Sequence, residues 1–308
     1  MSQTRKLASI VFLLISLLCL YYVAENGEKT ALYIANLIRK YSQKNIEVPQ
    51  DSVYHRTYLY KTVSETDDFT PENLEDIKKI YYTVLNNGWT NFTFYCSEEY
   101  KSCLDDVKSV ADDKTDPYIT LINNYVSPFN AYTKYNTLIT GDYEVSLTVQ
   151  KLYTKEEIAN IDLILDEILK KNNVKKDSYT QKDIEKLHDY LIKNIKYDEE
   201  YEKGNKNTIS NKANGALINK KALCSGYTDS FALLLDRLNI PNFKITSDEH
   251  VWNAVYLNKK WVHIDVTWDD DEVNPNNNRN FFMISTKKLL ELDKKEHNFD
   301  NKLYLELK

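Results

Sequence analysis

The chain has 308 residues, 42% hydrophobic and 28% charged, which suits a folded protein long enough for two ordinary domains. A formal net charge of −6 and a pI near 5.5 argue against a nucleic-acid partner, which calls for a basic face. Only six glycines occur, without a G-x-G-x-x-G or G-K-[ST] pattern, so no phosphate-cradling loop and no cofactor are expected.

Arg5 and Lys6 precede an apolar run from Leu7 to Ala24 that is broken only by Ser9 and Ser16. As a helix this run would span about 27 Å, close to the hydrocarbon thickness of a bilayer. The basic flank would stay in the cytoplasm, sending everything after Ala24 outward. Residues 1–24 are thus expected to be a membrane anchor, making the membrane one partner and the later domains extracytoplasmic. Cleavage as a signal peptide is the alternative, although Tyr22 stands where cleavage favours a small residue. Residues 25–50 read as a juxtamembrane helix and linker.

Cys19 lies in the apolar run, where it serves as a small apolar residue. Cys96 and Cys103 are seven apart and would face an oxidising exterior. A disulfide between them depends on whether their Cα atoms approach closely enough, which spacing leaves open. Their spacing, with no His pair nearby, is a poor zinc pattern, and no metal site is expected. Cys224 is the odd thiol, a mark of reactivity in an exported chain.

Residues 51–153 form an α+β segment with no catalytic constellation. Thr70-Pro71 predicts a helix start, with Leu74, Ile77, Tyr81, Val84 and Leu85 as its buried stripe and Gly88 as its end. Phe92 and Phe94 alternate with Thr93 and Tyr95 as a strand. Residues 137–140 and 143–149 predict a hairpin turning at Gly141-Asp142. The second domain, 154–308, opens with a Thr154…Glu157 capping box and the helical stripe Ile158, Ile161, Leu165, Ile168 and Leu169. A further helix follows Thr180, with Ile184, Leu187, Leu191 and Ile195 on its apolar face. Residues 199–214 are polar and read as a loop open to substrate.

Tyr227, Phe231, Leu234, Leu235 and Leu238 share one helical face, so a helix begins at or just after Cys224. There the thiol meets the positive end of the helix dipole and unpaired N–H donors, which favour the thiolate and can also receive an oxyanion. A buried structural Cys at a helix start is the rival reading of this segment. Downstream, residues 250–257 and 261–267 read as two strands around Asn258-Lys259-Lys260. A two-residue turn at Asn258-Lys259 pairs Leu257 with Lys260 and puts His250 and Asp265 on one face as diagonal neighbours. A register shift of one would part them. On a shared face, Asp265 can orient the His250 ring while its other nitrogen meets Cys224.

Cys224-Ser-Gly-Tyr227, His250-Val-Trp-Asn253 and Trp261-Val-His-Ile-Asp-Val-Thr-Trp-Asp269 resemble the three ordered motifs of the transglutaminase-like superfamily. The resemblance runs over about residues 154–290. It implies a papain-like α+β core, with Cys224 as nucleophile, His250 as base and Asp265 as orienter. Gly226, Tyr227 and Trp252 are the candidate substrate-binding residues. The hairpin turn lacks the family's usual Gly, and Asp271 stands where relatives often carry Pro.

His188 is expected to be structural, and His263 to pack or hydrogen-bond beside Asp265. His55 and His297 have no readable partner. Asp269-Asp270-Asp271 lacks the spacing of a calcium loop. Two functions follow from these observations. One is thiol acyl transfer on amides of a protein or peptide substrate, cell-wall peptides included, with water or an amine as acceptor. The other is a silent surface module that keeps the fold for binding.

Overall fold

Asn73 accepts a hydrogen bond from the Asp76 N–H at 3.2 Å, and this cap starts helix α1, Leu74–Asn86. The helix therefore begins three residues after Thr70-Pro71, because an Asn cap with a free N3 donor supersedes the Pro signal. Ile77, Ile80, Tyr81, Val84 and Leu85 are its buried stripe, and Gly88 follows it at φ +71°. The structure, a computed structural model, describes Gly27 and residues 46–112, 118–141, 143–176, 178–204, 208–270 and 279–308. The expected anchor and the juxtamembrane helix up to residue 45 lie outside the described residues. Among those described, no helix is long and apolar enough to cross a membrane.

Strand β1, Asn91–Tyr95, buries Phe92 and Phe94 and pairs with the hairpin β2, Tyr132–Ile139, and β3, Glu144–Lys151, in the order β1-β3-β2. Helices α2, Cys103–Ala111, and α3, Tyr118–Tyr125, complete this part. Cys96 and Cys103 are joined as a disulfide across 5.8 Å between Cα atoms.

The Thr154–Glu157 capping box opens α4, Lys155–Lys171, and a second box from Thr180 to Asp183 opens α5, Gln181–Asn194. A short parallel pair, β4 (Lys196–Tyr197) with β5 (Lys221–Ala222), brackets the stretch expected to be an open loop. That stretch instead carries a helical turn, α6 (Glu199–Glu202), and a 3₁₀ turn at Thr208–Asn211. The Ser210 hydroxyl donates to the buried Asp198 carboxylate, which ties the turn down.

Helix α7, Cys224–Arg237, packs on the antiparallel sheet β6-β7-β8-β9: Asn242–Thr246, Val251–Leu257, Lys260–Ile264 and Phe282–Ile284. Tyr227, Phe231, Leu234 and Leu235 meet Leu187 and Leu191 of α5 and Val255, Val262 and Ile264 of the sheet. Each fully buried side chain of this kind contributes about 1.5–3 kcal/mol. Between β8 and β9 lies the single turn α8, Val266–Asp269, and α9, Thr286–Leu292, follows β9.

Residues 47–308 form one compact unit. The buried Arg56 guanidinium binds Asp236 through both its Nε and Nη2 donors, at 3.1 Å each, and also reaches the Asn242 carbonyl. Near the C-terminal end, the buried Glu306 carboxylate accepts from the backbone of Lys61 and Thr62 and from the Tyr125 hydroxyl. The segment before Thr154 and the segment after it thus share buried polar contacts.

Candidate active site

The helix that carries Cys224 starts at that residue because Leu223 is extended. The Leu223 carbonyl accepts the Gly226 and Tyr227 N–H groups at 2.9 and 3.2 Å, which leaves those of Cys224 and Ser225 without partners inside the helix. Gly226 lets this turn approach residues 210–212. A Cβ there would lie 2.6 Å from the Ser210 carbonyl oxygen and 3.0 Å from that of Lys212. Cys224 is partly buried and is the free cysteine among the described residues.

His250 stands at the entry to β7. The Ser247 N–H donates to its carbonyl at 2.9 Å, and its own N–H donates to the Ser247 hydroxyl at 3.1 Å. This turn holds His250 at the end of β7, an interior strand of the sheet. Two side chains lock β7 to α7: Thr228 Oγ1 donates to the Val251 carbonyl and Asn253 Nδ2 to the Thr228 carbonyl.

Leu257 pairs with Lys260 and Asn253 with Ile264, the register given by a two-residue turn. Asn258 and Lys259 both adopt positive φ, 51° and 64°, as a type I′ turn requires. The second strand ends three residues earlier than expected, at Ile264. Asp265 Oδ1 accepts from the N–H groups of Thr267 and Trp268, at 3.0 and 3.1 Å, and caps the turn α8. The other oxygen, Oδ2, lies 2.5 Å from His250 Nε2. The Cys224 thiol lies near enough to this ring to favour its charged form. The structure thus joins His250 to Asp265 directly, with Cys224 near the ring.

Burial pulls the His250 pKa down, but the Asp265 charge and hydrogen bond, with a smaller part from Cys224, outweigh it and raise it to about 10. For Asp265, burial opposes ionisation, yet the two histidines beside it hold its carboxyl well below the usual carboxylate range. The pair is therefore an imidazolium against a carboxylate at neutral pH.

Gly226, Tyr227 and Trp252, expected to contact substrate, are all buried and turned to the protein. The Tyr227 hydroxyl donates to Asp270, which fixes the end of α8. The Trp252 ring stacks on His250 with centroids 5.7 Å apart and planes at 16°, and its indole N–H donates to His263 Nδ1 at 3.0 Å. Burial and the neighbouring His297 lower the His263 pKa to about 3, so the ring is a neutral acceptor for the indole. His188 Nε2 lies 3.1 Å from the buried Asp269, whose other oxygen accepts from the Phe281 N–H, consistent with a structural role.

Sequence reasoning missed His297. This fully buried ring sits 2.9 Å from Asp265 Oδ2 through Nε2 and 2.8 Å from Asp293 Oδ2 through Nδ1. Its i,i+4 spacing from Asp293 was the one available signal, and that spacing is common on any surface helix. His250, Asp265 and His297 have ligand-type atoms within 4.8 Å of one another. The two Nε2 contacts to a single carboxylate oxygen are of hydrogen-bond length, so the cluster holds together by shared protons.

Residues 168–266 match the family model of the transglutaminase-like superfamily. Over that stretch, about a third of the chain, the sequence is similar to the core of a superfamily that includes cysteine-dependent acyltransferases and peptidases. Among solved structures, a "TGase" is similar at 20% identity, covering 44% of each chain with a TM-score of 0.33. A protein proposed to be a cysteine protease, from Cytophaga hutchinsonii, is similar at 12% identity, covering 44% of this chain and 61% of the other, with a TM-score of 0.28. The chain thus spans about half the length of these relatives. No curated protein matches the sequence.

Proposed function

We propose that this protein is a thiol acyl-transfer enzyme acting on amide bonds of proteins or peptides, with Cys224 as nucleophile, His250 as acid–base and Asp265 as orienter. One observation supports the reading: His250 Nε2 is bonded to Asp265, and Cys224 lies near enough to favour the charged ring. In the reaction, the Cys224 sulfur attacks the amide carbonyl and His250 passes a proton to the leaving amine. The Cys224 and Ser225 N–H groups, which have no partner inside α7, are the donors proposed for the developing oxyanion. Water, activated by the now neutral His250, then releases the acid; an amine in its place would give a cross-link. Hydrolysis is the reading adopted, since water needs no binding pocket.

The site is further proposed to lie outside the cytoplasm, tethered by residues 1–24. The apolar run behind Arg5 and Lys6 supports this, and so does the Cys96–Cys103 disulfide, a bond that persists in oxidising compartments. The test exposes a panel of cell-surface proteins and wall peptides to wild type and to Cys224→Ala. Ammonia or new N-termini released by wild type and lost in the variant are expected. Identical behaviour of the two proteins across the panel would replace the enzyme with a binding module.

A further inference from the structure

Asp265 holds four donors. The Thr267 and Trp268 N–H groups occupy one oxygen, and His250 and His297 share the other. Two backbone donors already fix the plane of the carboxylate, so His297 is not needed to orient it. Packing does not call for a histidine either. The ring stacks on Phe281 at 5.2 Å and 12°, and meets Trp268 and Trp252 edge-on at 5.1 and 4.8 Å, contacts that a phenyl ring would reproduce. A buried imidazole costs more than a phenyl unless both nitrogens are bonded, and here both are. Asp293 is itself held in place, because its carboxylate accepts the N–H groups of Lys295, Glu296 and His297.

We propose that His297, clamped by Asp293, is a positioning residue that competes with His250 for the Asp265 carboxylate and so sets how tightly His250 keeps its proton. The inference rests on the acyl-transfer reading of Cys224, His250 and Asp265. An Asp265 left wholly to His250 would bind the imidazolium too firmly for prompt transfer to a leaving amine. By drawing on the same oxygen, His297 loosens that hold. The titratable groups that face its ring are Asp265 and His250, Asp293 on its own segment, and His263 from β8. Both His297 and Asp293 lie beyond residue 266, where the superfamily match ends, so this chain's C-terminal segment supplies the device.

The experiment follows alkylation of Cys224 in the full chain by iodoacetamide from pH 5 to 11, read by mass spectrometry of the Cys224 peptide. In wild type the upper inflection reports loss of the His250 proton. His297→Phe keeps the ring packing and removes both hydrogen bonds. It is expected to move that inflection up by about one pH unit, the scale of one charge-assisted hydrogen bond. His297→Gln, whose amide can restore a donor to Asp265, is expected to return it toward the wild-type position. A folded His297→Phe protein whose profile overlays wild type overturns the proposal. If His297→Phe gives no cooperative thermal transition, Asp293→Asn carries the test. It leaves the ring in place and weakens its clamp, so a smaller upward move is expected and an unmoved inflection overturns the proposal. A wild-type Cys224 that alkylates no faster than an unfolded peptide thiol removes the acyl-transfer reading, and this one with it.

Discussion

His250 and Asp265 are 15 residues apart in the chain and 2.5 Å apart in the fold. A hairpin with a two-residue turn brings the strand beginning after His250 alongside the strand ending before Asp265. Their contact does two things with one carboxylate. It holds the imidazole in a fixed tautomer, and it caps the helical turn that follows by accepting the Thr267 and Trp268 N–H groups.

Replacing Asp265 by Asn is expected to keep the hairpin and abolish the chemistry. The amide nitrogen would face His250 Nε2 as a donor, forcing the proton onto the nitrogen that should meet Cys224. Turnover on a substrate found in the panel should fall by about three to four orders of magnitude, with KM little changed. Steady-state kinetics of Asp265→Asn against wild type measures this.

Stability should peak near pH 6.5. The folded pKa of His250 is raised to about 10 against an unfolded 6.5, so its contribution is complete below pH 6.5 and is lost as pH climbs toward 10. That of His263 is lowered to about 3, so its contribution is present above pH 6.5 and drains away as pH falls from 6.5 toward 3. Asp265, also depressed, adds to the loss on the acid side below the ordinary carboxylate range. Thermal melts from pH 3 to 10 should trace a dome, and Asp265→Asn should flatten its alkaline side.

Gly226→Ala should destabilise the fold. The new methyl would meet backbone oxygens of Ser210 and Lys212 and the Ala222 Cβ, at 2.6, 3.0 and 2.9 Å. None of these is the free end of a flexible side chain. Overpacking of this kind costs about 1–3 kcal/mol, visible in urea unfolding. Since α7 begins two residues earlier, Cys224 labelling should also change.

Lys259→Gly should do the reverse. Lys259 sits at φ 64° in the type I′ turn between β7 and β8, a conformation that costs a non-glycine residue about 1–2 kcal/mol. Asn-Gly is the preferred pair there. A gain of about 1 kcal/mol in unfolding free energy, with Cys224 reactivity unchanged, is the expected outcome.

The helix start at Cys224 was legible because the stripe Tyr227, Phe231, Leu234 and Leu235 has only one helical solution. The strand period puts His250 and Asp265 on one face if the turn has two residues, and the turn length itself is given by the fold. Where the backbone answers to a single side-chain hydrogen bond, periodicity is silent. Asn73 displaced the expected start at Thr70-Pro71, and Asp265 ended its strand early by capping α8. The tie of Ser210 to Asp198 ordered a stretch whose polarity reads as loop. His297 was invisible for another reason: its meaning depends on Asp265, 32 residues away, and on a chain reversal that no local pattern announces. Gly226, Tyr227 and Trp252 were expected to contact substrate; their burial and their pairing within the protein are properties of the folded state that no local pattern announces.

The most direct test of the account is the second-order rate of Cys224 carbamidomethylation at pH 6 in the folded chain, compared with the same residue in urea-unfolded protein. An imidazolium held against the sulfur predicts a folded rate about tenfold or more above the unfolded one. A folded thiol that reacts no faster than the unfolded one would contradict it.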